Sequence, residues 1–75
     1  MKEHDLVVLT RDVPDCGLQQ GDVGVIVHCY AGGSAYEVEF VAADGRTVAV
    51  LTLNEDEVRP MRQGEILHAR AMVAV

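Results

Sequence analysis

Three glycines, Gly17, Gly21 and Gly24, deliver the chain into the β-branched run Val25-Ile26-Val27, and this junction limits what the chain can become. Glycine permits sharp backbone turns that other residues resist, while β-branched residues fit a pleated, half-buried surface. The combination reads as a tight turn opening a strand from Val23 to Tyr30. A glycine-rich turn can also cradle phosphate, but no lysine follows this one and no helix opens from it. Gly24 inside the strand marks a bend or a close backbone crossing.

The flanking sequence supplies partners for that strand. Asp5 to Thr10 is a short run of strand formers whose inward face is ambiguous. Arg11 to Gln20 is an irregular loop broken by Pro14 and Gly17, in which Leu18 is a candidate to plug one end of the fold. Gly32-Gly33 then closes a hairpin. In Ala35 to Val41, Tyr36, Val38 and Phe40 fall on one face and Glu37 and Glu39 on the other, the pattern of a half-buried antiparallel strand. Asp44-Gly45 closes a second hairpin into Thr47 to Leu53, which is apolar on both sides and is expected to lie centrally or under a loop. Asn54 to Pro60 reads as one 3-10 turn and a brief fifth strand around Val58.

Beyond Met61 the pattern is ambiguous. As a strand, Leu67, Ala69, Ala71, Val73 and Val75 share a face; as a helix, Ile66, Ala69, Met72 and Val73 form a stripe. Either way the apolar end asks for cover, and a neighbouring subunit would supply it. Residues 1–60 are thus expected to form the domain, and 61–75 a C-terminal extension that makes an oligomer contact.

Charge and cysteines bound the function. Twelve acidic against six basic residues give a net charge of −6, which opposes nucleic acid and suits a basic partner. No run is long and apolar enough for a signal peptide or a membrane span, so a cytoplasmic location is expected. Cys16 and Cys29 lack zinc-site spacing. A disulfide between them is conceivable, but without a signal peptide two free thiols are expected, Cys29 packing as a small hydrophobe.

The order of strand, long loop, Gly-rich turn, two hairpins, helical turn and strand resembles small SH3-like β-barrels of about five antiparallel strands. The combination Asp5-Leu6-Val7-Val8-Leu9, Leu18-x-x-Gly21-Asp22-Val23-Gly24-Val25-Ile26-Val27, Tyr36-Glu37-Val38-Glu39-Phe40 and Asp44-Gly45-Arg46-Thr47 goes further. It resembles the bacterial family called domain of unknown function 4926, over residues 5 to 60. That resemblance implies an all-β barrel and carries no functional residue with it. A looser similarity, through Gly21 to Ile26, is to KOW-type elements of ribosomal and transcription proteins, which often touch RNA. Here the basic residues that would hold phosphate are missing, and Asp22 stands where a cation would serve better.

No catalytic, cofactor or metal constellation emerges. Glu37 and Glu39 read as a solvated strand face rather than an acid and base pair. His4, His28 and His68 lie far apart in sequence from one another and lack an orienting motif with either cysteine. Glu55-Asp56-Glu57 lacks calcium-loop spacing. The candidate partner-binding residues are Tyr30, an aromatic beside a loop tip, with Glu37 and Glu39 for a basic surface, and Leu67, Met72 and Val73 for a homodimer contact. The expected function is a non-enzymatic protein-interaction module, such as an accessory, immunity or antitoxin-like partner of a basic protein. The alternative is a structural or regulatory homodimeric subunit.

Overall fold

A computed structural model describes residues 1–72; Val73 and the apolar residues after it lie outside the described residues. Five antiparallel strands form one sheet: β1 (Leu6–Leu9), β2 (Val23–Cys29), β3 (Ala35–Val41), β4 (Thr47–Asn54) and β5 (Val58–Pro60). Their order across the sheet is β4-β3-β2-β1-β5, which is compatible with an SH3-like barrel. Among the described residues no helix is long and apolar enough to cross a membrane.

The period of two in each strand decides the core. β3 buries Tyr36, Val38 and Phe40, as its alternation predicts. β2 adds Ile26, β4 adds Leu53, β5 adds Val58 and β1 adds Val7 and Leu9. Leu18 from the preceding loop joins the same core at 3% exposure, and an isolated bridge to Val13 holds the loop in place. Burying an aliphatic or aromatic side chain of this kind contributes about 1.5–3 kcal/mol, so these few residues carry most of the sheet's cohesion.

Gly24 earns its place by close approach. A Cβ built there would stand 2.6 Å from Val38 Cγ1 and 2.8 Å from Phe40 Cε1. The missing side chain therefore makes room for the side chains of Val38 and Phe40 on β3, so the close approach at this glycine is by side chains and not by backbone. A register shift between Ile26 and His28 bends β2 further, and Val27 is exposed.

Three expectations need correction. The 3-10 helix lies at Pro14–Cys16, not after Asn54. Pro14 presets the backbone angle of its first position, and Gly17, at φ 71°, ends it while donating its N–H to the Pro14 carbonyl. Residues 55–57 instead make a hydrogen-bonded turn, in which Glu57 accepts the Asn54 N–H at 2.8 Å. Second, β4 is an edge strand rather than a central one. Third, the described part of the extension, residues 61–72, is neither strand nor helix. It folds back on the sheet through polar contacts, so its geometry follows those partners and not its own periodicity.

Candidate functional site

The outward face of β2, β3 and β4 gathers the first group of candidate residues. Register places His28 opposite Glu37, and Glu37 opposite Thr52. Glu39 lies two residues further along, opposite Val25 on one side and Val50 on the other. Because side chains alternate along each strand, all of these point away from the core.

Both carboxylates are held. Tyr30 donates its hydroxyl to Glu37 Oε1 at 3.1 Å, and Thr52 Oγ1 donates to the same oxygen. Thr47 Oγ1 donates to Glu39 Oε2 at 2.7 Å. The bond to the Glu37 carboxylate, aided by partial burial, raises the Tyr30 phenol above its ordinary pKa. Tyr30 stays 42% exposed while its ring meets the edge of His28 at a centroid distance of 4.8 Å. The result is a half-buried pair of fixed negative charges beside an open aromatic ring. Sequence spacing could align Glu37 with Glu39, but the bond to Tyr30 needed the β2–β3 hairpin.

Leu67 and Met72 are set apart from that face. They line an open groove of about 610 Å³, whose walls also include Leu18, Val23, Phe40 and Val48. Met72 packs against the protein's own core, whereas Leu67 is 71% exposed. Val73, the remaining candidate, lies outside the described residues. The six candidates are therefore not one site: Tyr30, Glu37 and Glu39 come together, and Leu67 and Met72 sit at the groove with different fates.

A pairing that sequence reasoning missed fastens the tail across this groove. The Arg70 guanidinium donates to both carboxylate oxygens of Asp22, at 2.9 and 2.5 Å, and to the Gly17 carbonyl at 2.9 Å. Burial alone would raise the pKa of Asp22, but the bonds from Arg70 and from the Gln19 N–H outweigh it and hold the carboxyl below its ordinary value. Nearer the sheet, Arg59 grips Glu65 with two bonds at 2.8 and 2.6 Å. That grip, with the Arg62 N–H, pulls the Glu65 carboxyl down to about 2. Asp22 and Arg70 stand 48 residues apart, so no local signal in the chain announces them. The acid that made a poor phosphate site has a cation of its own.

Cys16 and Cys29 are free thiols, each half-buried against the core. Among the described residues no three His, Cys, Asp or Glu side chains form a group that could hold a metal ion.

A scan of protein families matches residues 3–60 to a domain of unknown function, DUF4926, and the chain belongs to that family. Neither the curated proteins nor the solved structures give a significant match. The matched span ends with β5, before the segment that carries Glu65 and Arg70.

Proposed function

We propose that this DUF4926 protein is a small non-enzymatic interaction module that offers the outward face of β2, β3 and β4 to a basic protein. The observation that carries the reading is the arrangement of Tyr30, Glu37 and Glu39: two carboxylates fixed by Tyr30, Thr52 and Thr47, next to a partly exposed aromatic ring. Carboxylates already held in place lose little freedom on meeting a lysine or arginine, and an exposed tyrosine is a common anchor in protein interfaces. The net charge of −6 would steer a basic partner toward the chain over a wider range than these contacts.

The test compares capture by the wild type with capture by a Glu37→Gln, Glu39→Gln double variant, both immobilised in extract of the native host at low salt. The reading expects a basic protein that the wild type retains, that the double variant loses, and that salt releases. Retention by both forms, or by neither, overturns it. A Tyr30→Ala variant separates the anchor from the charges: it should weaken capture without abolishing its salt dependence.

A further inference from the structure

The two edges of the sheet are guarded unequally. β5 is three residues long and ends in Pro60, which has no N–H to offer, and such short, proline-bearing edges resist pairing with another chain. β4 runs for eight residues, Thr-Val-Ala-Val-Leu-Thr-Leu-Asn, with no charge and no proline. Its composition is that of a strand covered on both sides, yet it lies at the edge with Val50 half exposed. A register shift beside β3's Phe40 and Val41 leaves Val48 as an extra residue, so the regular part of the edge runs from Ala49 to Asn54.

The hydrogen-bond pattern says which groups that edge leaves open. The Glu55 N–H donates to the Ser34 carbonyl at 3.2 Å, and an antiparallel ladder alternates from there. Leu53, Leu51 and Ala49 therefore exchange bonds with β3, while the N–H and C=O of Thr52 and Val50 point away from the sheet. Among the described residues no other backbone group bonds to Val50 or Thr52.

We propose that β4 pairs antiparallel with β4 of a second copy of this chain, across a twofold axis at Leu51. Val50 of one protomer then exchanges backbone bonds with Thr52 of its partner, and Thr52 with Val50, so both open residues are satisfied on both chains. The two Leu51 side chains, half-buried in each copy, meet on the core side of a sheet that continues through the seam.

Three observations select a second copy as the occupant. An antiparallel edge is its own complement under a twofold axis, so identical chains satisfy each other's open groups. The seam strand is uncharged in a chain of net charge −6, so pairing brings no like charges into contact. The nearest fixed carboxylates, Glu37 and Glu39, lie on β3, and β3 of the two copies would be three strand spacings apart, about 14 Å against a screening length of about 8 Å at physiological salt. A basic peptide would find no carboxylate on β4 itself.

The test uses the full chain. Sedimentation equilibrium should give a mass of two chains at high concentration, with association strengthened by added salt as the residual repulsion is screened. Amide exchange followed by NMR should slow at Val50 and Thr52 by about ten-fold or more between dilute and concentrated samples, while Leu51 and Leu53 are protected in both. A single-chain mass at every concentration overturns the proposal. So does a dimer whose Val50 and Thr52 amides exchange at the dilute rate, since its seam would lie elsewhere, for example on Leu67. Val50→Pro removes an outward N–H and no bond to β3, and should give single chains with β2 and β3 still protected; if it fails to fold, the exchange measurement on the wild type decides.

Discussion

The sheet and the segment that follows it are held by different forces. From Leu6 to Pro60 the chain is organised by apolar burial: Phe40, Leu9, Ile26, Val7 and Val38 are fully enclosed. From Met61 to Met72 it is fastened chiefly by two charged clasps, Arg59 to Glu65 and Arg70 to Asp22, with Met72 as its apolar contact to the core. Burial is cooperative and indifferent to pH, whereas a clasp near the surface depends on the ionisation of one carboxyl. The contrast teaches that the two regions should fail separately, and four experiments bear on it.

The largest effect should come from Phe40→Ala, which empties the centre of the core and costs about 3–5 kcal/mol. For a chain of 75 residues that approaches the whole margin of stability, and chemical denaturation should find the variant largely unfolded at modest urea. A midpoint close to the wild type would break the comparison. Gly24→Ala comes next. Its Cβ would overlap Val38 and Phe40, and overpacking of this kind costs about 1–3 kcal/mol, offset only in part by the lower chain entropy of alanine. Thermal melting should show a clear loss with the far-ultraviolet spectrum unchanged; a stabilised protein would refute the packing account.

Arg70→Ala should have a smaller and more local effect. Amide protection in β2 and β3 should persist, while limited proteolysis with trypsin at Arg62 should accelerate about three-fold to ten-fold as the segment lifts from the groove. A global loss of protection would mean that the tail belongs to the same cooperative unit as the sheet.

The smallest effect is in pH. Glu65 is ionised more readily in the folded protein than its ordinary value of 4.5 implies, chiefly through the bonds from Arg59 and then the Arg62 N–H. A depressed carboxyl contributes stability that is fully present above its unfolded value and is lost as pH falls through the folded one. The Glu65 carboxyl resonance should therefore titrate near pH 2, with the Arg59 side chain following it. The Asp22 carboxyl is lowered in the same direction, the opposing effect of burial being outweighed by its bonds from Arg70 and the Gln19 N–H, so that clasp too should open at a lower pH than an ordinary carboxylate would allow. A Glu65 midpoint in the ordinary carboxylate range would show that the Arg59 contact is not kept in solution.

Legibility in the sequence follows the same division. β3 could be read residue by residue, because alternation of Tyr36, Val38 and Phe40 with Glu37 and Glu39 leaves one way to bury the apolar set. Gly-Gly and Asp-Gly gave both hairpins, and the burial of Leu18 could be expected from an apolar residue in a polar loop, whereas the close approach at Gly24 is by the side chains of Val38 and Phe40 and not by the backbone crossing its type suggested. The position of β4 was not legible. Its apolar residues speak of burial but not of what covers them, and the sheet order comes from long-range pairing that a local window does not contain. The tail failed for a related reason: its strand and helix patterns were nearly equal, and contacts with Asp22 and Gly17 outweighed both. Of the candidate residues, Glu37 and Glu39 could be aligned by spacing, while the bond from Tyr30 required the hairpin to close.

The strand order has a consequence in time. β2, β3 and β4 are joined by short hairpins and can pair as soon as they are made. β1, although first in the chain, sits between β2 and β5, and its Val7 waits opposite Pro60. Closing that pair means enclosing most of the chain in one loop, an entropic cost met only when the last strand is present. During synthesis, the five-stranded sheet cannot therefore close until Pro60 has left the ribosome, and a chain that stalled before Val58 would expose one side of β1 for as long as the stall lasted.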